Sequence, residues 1–254
     1  MYYVSESVVQ QTVSQEQVTA AVEHAYTAYA TGDAVNFPVV RETLDYADAI
    51  FGFKSGFDKS GPVLGVKAGG LWPGNRAKGL ANHQSTICLF DAETGSPHAL
   101  VRGTYLTALR TAAASALSIR HLAKNDAERL GIVGAGGQSE YQIRAALSER
   151  EFRTIRIADH NRDQAGQLKQ QLDDIDGELI IVDPETMAKE SDVIITVTPS
   201  REPILKADWI QPGTHLACMG ADTKGKHEVD VEIVSNASVF GDDPAQAVTI
   251  GEKD

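Results

Sequence analysis

From Asn125 onward the chain alternates in a way that few folds accept. The strand patterns RLGIVG, TIRIAD, ELIIVD and DVIITVT are separated by the helical patterns QSEYQIRAALSE, RDQAGQLKQQL and PETMAKE, and two further strand patterns, THLACMG and ASVFGD, follow. Short apolar strands joined through helices mean βαβ crossovers and a parallel sheet covered on both faces. This part of the chain is therefore predicted to be doubly wound.

Between its first strand and first helix, in GIVGAGGQSEYQ, Gly134, Gly136 and Ser139 occupy the G-x-G-x-x-[GAS] positions. At such a turn, backbone N–H groups and the helix N-terminus can hold a pyrophosphate. The next strand ends at Asp159, 23 positions beyond Gly136, the spacing of an acid that hydrogen-bonds the ribose hydroxyls. Turn, unit and acid together predict a dinucleotide site. The negative charge of Asp159 repels a 2′-phosphate and favours NAD, while Arg162, three residues on, keeps NADP as the alternative.

With 254 residues the chain is long enough for two cores, and a net charge of −12 with a pI near 5.0 disfavours phosphate backbones and anionic membranes as partners. Small molecules are the expected ligands. The start, MYYVSESVVQQ, lacks the basic and apolar regions of a targeting signal, and no stretch approaches the roughly 18 apolar residues of a membrane helix, so a cytoplasmic setting is expected. Cys88 and Cys218, in TICLF and LACMG, lack CxxC spacing and are expected to be buried, reduced thiols. The histidines show no HxxxH or HExxH grouping, and no metal site is expected.

Before Asn125 the patterns differ. Residues 14–32 have an N-cap serine, apolar positions at helical spacing and a closing glycine, predicting an amphipathic helix. From Arg41 to about Val101, short β-rich runs are punctuated by DKSG, WPGN and ETGSP, predicting a meander of strands. RGTYLTALRTAAASALSIRHLA then predicts a long helix. The overall expectation is α/β: an α+β domain over residues 1–115, then a Rossmann-type doubly wound domain over residues 116–254.

The blocks LTALRTAAASALSIRHLA, GIVGAGGQSEYQ and MGADTKGKHEVD, in this order, resemble the ornithine cyclodeaminase/μ-crystallin family, and the resemblance covers nearly the whole chain. That family includes ornithine and lysine cyclodeaminases, NAD(P)-dependent alanine dehydrogenases, ketimine and other imino-acid reductases, and μ-crystallins. The resemblance implies that the first domain binds substrate and forms a homodimer. By motif position, Lys67 in LGVKAGG resembles the family's active-site lysine, Arg110 in LRTAA its carboxylate-binding arginine, and Asp222 in GADTKGK its acid/base aspartate. Arg41 in VVRET resembles a second carboxylate ligand. Gly137, Gln138, Asp159, Thr198 and Lys226, with Ala217, Met219 and Gly220 at a strand end, match positions the family uses for the dinucleotide.

Guanidinium groups suit the planar carboxylate of an amino or imino acid, and a carboxylate such as Asp222 suits proton exchange at its nitrogen. Where the family's cyclodeaminases use a glutamate for a substrate ammonium, this chain has Lys54, and where ornithine enzymes commonly have threonine it has Asn82, beside His83. These departures favour a monoamino, acidic substrate, with Asn82 and His83 as candidate ligands. Family members also continue beyond the Gly251–Glu252 pair with a segment returning to the first domain, whereas this sequence stops at Asp254. The expected activity is hydride transfer to the C=N bond of a small imino acid. The alternatives are a cyclodeaminase that uses NAD catalytically and a non-enzymatic NAD(P)H-binding protein.

Overall fold

The structure is a computed structural model and describes residues 1–243, 247, 251 and 252. It divides into two compact units, Met1–Arg110 and Thr111–Asp254. The boundary falls inside a helix, five residues before the predicted one, and the end of the predicted 116–254 domain lies partly outside the described residues.

In the first unit the chain forms β1 (Tyr2–Val4), α1 (Glu6–Thr12), α2 (Gln15–Thr31), β2 (Ala34–Asn36), β3 (Val40–Thr43), β4 (Ile50–Asp58), β5 (Val63–Leu71), β6 (His83–Phe90) and β7 (Pro97–Arg102), with a 3-10 turn at Pro73–Lys78. The predicted helix over residues 14–32 is α2. The Ser14 hydroxyl accepts from the Gln17 N–H, and the Gln17 side chain accepts from the Ser14 N–H at 2.9 Å, a reciprocal cap that satisfies two end groups. The sheet order is β1-β7-β6-β5-β4-β2, with β3 also pairing β4. Strands β4 to β7 form the predicted meander, all antiparallel, while β1 joins β7 in parallel. The strands β1 and β2 and the helix α1 were not predicted; three-residue strands are too short to show a period.

Helix α3 (Thr104–Leu122) crosses the unit boundary. The second unit then alternates through β8 (Arg129–Val133), α4 (Ser139–Leu147), β9 (Thr154–Ala158), α5 (Arg162–Gln171), β10 (Glu178–Ile181), α6 (Pro184–Lys189), β11 (Val193–Thr196), β12 (His215–Cys218) and α7 (Val231–Asn236). All five strands are parallel, in the order β10-β9-β8-β11-β12. Successive residues of one strand feed opposite faces. Leu130, Ile132, Ile155, Ile157, Val193 and Ile195 enter one core cluster, and Val133, Ala158 and Ile194 enter the other. Order reverses at β8, whose neighbours β9 and β11 lead to opposite edges, and ligands of such sheets bind at the carboxyl ends of the strands at this switch point.

Two expectations are corrected. The ASVFGD segment forms no strand, and Val239 and Phe240 are 46% and 67% exposed. A strand satisfies its backbone only in a ladder, and these residues enter neither sheet. The cysteines are free but not both buried: Cys218, last in the edge strand β12, is exposed, and Cys88 is half-buried. Among the described residues no helix is long and apolar enough to cross a membrane, and no three His, Cys, Asp or Glu side chains could hold a metal ion.

His215 in β12 faces Ser118 of α3, its Nε2 3.0 Å from the hydroxyl, and burial pushes the imidazole down to about 4. An unfolded histidine takes up a proton near 6.5, so between about pH 6.5 and pH 4 the unfolded chain binds more protons than the folded one. Stability is therefore complete above that window and falls as pH drops through it, by up to about 3 kcal/mol at the low end. Melting temperatures measured across it should fall with pH, and His215→Asn should flatten the slope.

Candidate functional site

The chain turns sharply where β8 ends. Gly134 adopts φ +102°, and an added Cβ there would meet the Val197 carbonyl oxygen at 2.8 Å, so both conformation and space demand glycine. Beyond it the loop is open, for a Cβ at Gly136 or Gly137 would meet nothing within 4 Å. Gln138 precedes α4 with its Oε1 buried and lacking a hydrogen-bond partner, and no side chain caps that helix. Open glycines, an unsatisfied polar atom and uncapped N–H groups fit the phosphates and amide groups of a dinucleotide.

Ser139 is fully buried, and its hydroxyl donates to the Gly134 carbonyl at 2.8 Å, so it locks the turn and lets helix pack on strand instead of reaching a ligand. Asp159, its side chain only 7% exposed, directly follows β9 across the turn. Its Oδ2 accepts from the Ala135 N–H and its Oδ1 from the Asn161 N–H, each at 2.7 Å. Each carboxylate oxygen has a second lone pair, so the acid can hold the loop and still accept from ribose hydroxyls. Arg162 opens α5 and is exposed.

Beside this turn, the carboxyl ends of β11 and β12 are tied by a residue the sequence patterns did not single out. Glu228 is fully buried, and its carboxylate accepts from the Thr196 hydroxyl at 2.7 Å, the Thr198 N–H at 2.6 Å, the Thr198 hydroxyl at 2.8 Å and the Gly220 N–H at 2.8 Å. Its own N–H donates to Glu252 Oε1 at 2.9 Å. An acid in KHEVD reads as surface charge; only its four donors, 8 to 32 positions away, reveal it as a hub.

This hub and the strand ends around it give several of the expected cofactor residues structural partners. The Thr198 hydroxyl is committed to Glu228. Gly220 is glycine because a Cβ would lie 2.3 Å from the Thr198 carbonyl oxygen and 2.5 Å from Glu228 Oε1. Ala217 is 5% exposed within the hydrophobic core, and Met219 packs against it. Lys226 donates to Asp222 Oδ1 at 2.6 Å and to the Gly220 carbonyl at 3.3 Å, so it orients the candidate acid/base. Asp222 itself is 47% exposed, following the β12 end.

In the first unit, pairing decides which residues share a face. Arg41 sits opposite Gly52, Lys54 opposite Lys67, Lys67 opposite Ile87, Gly69 opposite Ser85, and Leu71 opposite His83. Directly paired residues, and those two apart on a strand, point the same way. Arg41, Lys54, Lys67, Ser85 and His83 therefore occupy one face. Lys67 is half-buried, and its ammonium donates to the Thr107 hydroxyl of α3 at 3.2 Å, which lies 3.2 Å from the Ser85 hydroxyl. Arg110 lies three positions beyond Thr107 on the same helix, so the two share its face, and it is exposed. Asn82 Oδ1 accepts from the Arg76 N–H at 3.0 Å, holding the 3-10 turn.

Fold and turn together define a doubly wound α/β protein of the dinucleotide-binding kind. The chain belongs to the ornithine cyclodeaminase/mu-crystallin family, which it matches over residues 1–254. It is 43% identical to the iminosuccinate reductase of Paracoccus denitrificans over 99% of this chain and 79% of that one. The crystal structure of that reductase in complex with NAD+ superposes with a TM-score of 0.93, covering 99% of this chain and 78% of the other. The alanine dehydrogenase of Archaeoglobus fulgidus is 34% identical over 96% of this chain and 74% of its own length. Thermococcus litoralis Δ1-pyrroline-2-carboxylate reductase, in complex with NADH and L-proline, is 28% identical with a TM-score of 0.92, covering all of this chain and 79% of that one.

Replacing Glu228 by alanine would leave the Thr198 and Gly220 N–H groups buried without an acceptor, at about 1–3 kcal/mol each. Urea unfolding of Glu228→Ala should show a loss of roughly 3–5 kcal/mol. A loss below about 1 kcal/mol would mean that the hub does not tie these strand ends.

Proposed function

We propose that this chain is an NAD-dependent oxidoreductase that reduces the C=N bond of a small imino acid, or runs the reverse oxidation of an amino acid. The observation that carries it is the open Gly136–Gly137 turn, with Asp159 buried across it, in a fold whose relatives include reductases crystallised with NAD+ or NADH. When bound, the dinucleotide supplies the hydride: a C–H bond forms at the imine carbon, the C=N π pair moves to nitrogen, and NAD+ and the amino acid result.

The protein's own residues take the remaining tasks. Asp222, oriented by Lys226, delivers the proton that nitrogen gains, which is general acid catalysis by a positioned carboxyl. Arg41 and Arg110 bind the substrate α-carboxylate, for which a guanidinium fork is the matched partner. Lys67, fixed by Thr107, adds a point charge beside that carboxylate, and His83 shares its face of the sheet. Gly134, Gly136, Gly137, Gln138 and Asp159 hold the dinucleotide, and the charge of Asp159 selects NAD over NADP.

We also propose a homodimer and a cytoplasmic setting. The sheet face opposite Lys67 carries Val35, Val40, Phe51, Phe53, Leu64 and Val66, of which Val35, Val40 and Phe53 are more than 40% exposed. An exposed apolar face of this kind suits a second copy of the chain. A related archaeal alanine dehydrogenase, 31% identical with a TM-score of 0.93, is a dimer with bound NAD.

Absorbance at 340 nm, followed with NADH, ammonium and a panel of keto acids, tests the reaction. Stoichiometric loss of NADH is expected; ammonia release from ornithine or lysine with no net change in NADH would instead identify a cyclodeaminase. Asp222→Asn should lower turnover more than about a hundredfold while NADH binding, read by fluorescence, stays put. Near-normal turnover would remove Asp222 from the proton step. Asp159→Ala should weaken NADH more than NADPH; an unchanged ratio of the two dissociation constants would show that this acid does not select the cofactor.

A further inference from the structure

Asp222 rides on a loop, residues 220–228, that leaves the end of β12. Glu228 grips both ends of that loop. Its carboxylate accepts from the Gly220 N–H at 2.8 Å where the loop begins, and its carbonyl accepts from the Ile204 and Leu205 N–H groups at 2.8 and 3.1 Å where the loop ends. A side chain that reaches back across its own loop holds one place only when the backbone bearing it is fixed in turn.

That fixing comes from residue 252. Glu252 Oε1 accepts from the Glu228 N–H at 2.9 Å, and Oε2 accepts from the Val229 N–H at 3.4 Å. Glu228 and Val229 are 0% and 1% exposed, and among the described residues neither N–H donates to a backbone carbonyl. Buried N–H groups need acceptors, and here one distant carboxylate supplies both. Gly251 lets it arrive: φ is +118°, which other residues resist, and a Cβ there would come within 3.7 Å of the carbonyl oxygen of Ala221, the neighbour of Asp222. The Glu252 side chain is only 10% exposed, with His227 Nδ1 3.6 Å from Oε2. Burial pushes its carboxyl up from the usual range, and the Glu228 charge adds to that push. What the loop takes from Glu252 is an acceptor, more than a charge.

We propose that Glu252 is a positioning residue for proton transfer, acting on Asp222 through Glu228. This rests on the reading of Asp222 as the group that protonates nitrogen. The path is continuous. Glu252 holds the Glu228 main chain, the Glu228 carboxylate holds Gly220, the Gly220 carbonyl accepts from Lys226 at 3.3 Å, and the same ammonium holds Asp222 Oδ1 at 2.6 Å. Proton transfer requires the acid within hydrogen-bond reach of nitrogen, and a shift of about 1 Å caused elsewhere can cost about a hundredfold in rate.

The test compares wild type, Glu252→Ala and Glu252→Gln as full chains, well below the melting temperature of each. With NADH, ammonium and a keto acid that the wild type reduces, Glu252→Ala should slow single-turnover NADH oxidation about tenfold or more, with NADH affinity within about threefold. Glu252→Gln keeps an acceptor for the Glu228 N–H and should recover most of the rate. In an Asp222→Asn background, Glu252→Ala should change the rate less than about threefold, because the group it positions has gone. An equal fall in both backgrounds, an unchanged rate in Glu252→Ala, no recovery in Glu252→Gln, or a loss confined to NADH affinity overturns the assignment. Amide hydrogen exchange by mass spectrometry gives an answer independent of turnover. Exchange in residues 220–229 should quicken in Glu252→Ala while residues 129–147 stay as in wild type. Unchanged exchange in 220–229 overturns the role of Glu252 whatever the rates do. Quickened exchange with a near-normal rate in Asp222→Asn overturns the acid role of Asp222 alone.

Discussion

In an antiparallel sheet the side-chain period is two, so pairing Lys54 with Lys67 and Lys67 with Ile87 decides the face of every other residue in β4, β5 and β6. A slip of one residue between β4 and β5 would put Lys54 on the side of Val66, opposite to Lys67. It would also put Phe51 and Phe53 on the side of Lys67. Both functions proposed for the first unit, ligand binding on one face and self-association on the other, therefore depend on that register. The aromatic and aliphatic residues of the second face make it unlike the first, and this difference in apolar content is what specifies register in a half-buried sheet.

The second unit solves a different problem. A dinucleotide needs backbone N–H groups with nothing in front of them, yet a bare turn is loose unless other groups hold it. Here the holding is done by acids turned inward. Asp159 grips the Ala135 and Asn161 N–H groups on one side of the switch point, and Glu228 grips Thr196, Thr198 and Gly220 on the other. A buried carboxylate is tolerated only when its oxygens are amply hydrogen-bonded, and Glu228 meets that condition with four donors. The glycines stay open because the load is carried beside them.

What could be read from the sequence follows from this division. Elements announced by period or punctuation were legible: α2 from Ser14 and Gly32, the five parallel strands from apolar runs, the turn from Gly134, Gly136 and Asp159. Tertiary commitments were not. Thr198, Ala217, Gly220 and Lys226 lie where a ligand could be met, and each is drawn toward Glu228, the core or Asp222 by partners that spacing cannot reveal. ASVFGD failed for the complementary reason, since β-propensity describes a strand that finds a ladder and this one finds none.

Lys54 stands between these cases. As a letter in FGFKSGF it marks only a departure from a family pattern, and its meaning changes once β4 and β5 are aligned. Cross-strand partners are a property of the pair, so neither segment alone contains the information that Lys54 and Lys67 share one face of the sheet. Local choices of this kind, a lysine opposite a lysine and glycine in mid-strand, become visible only once the register is known.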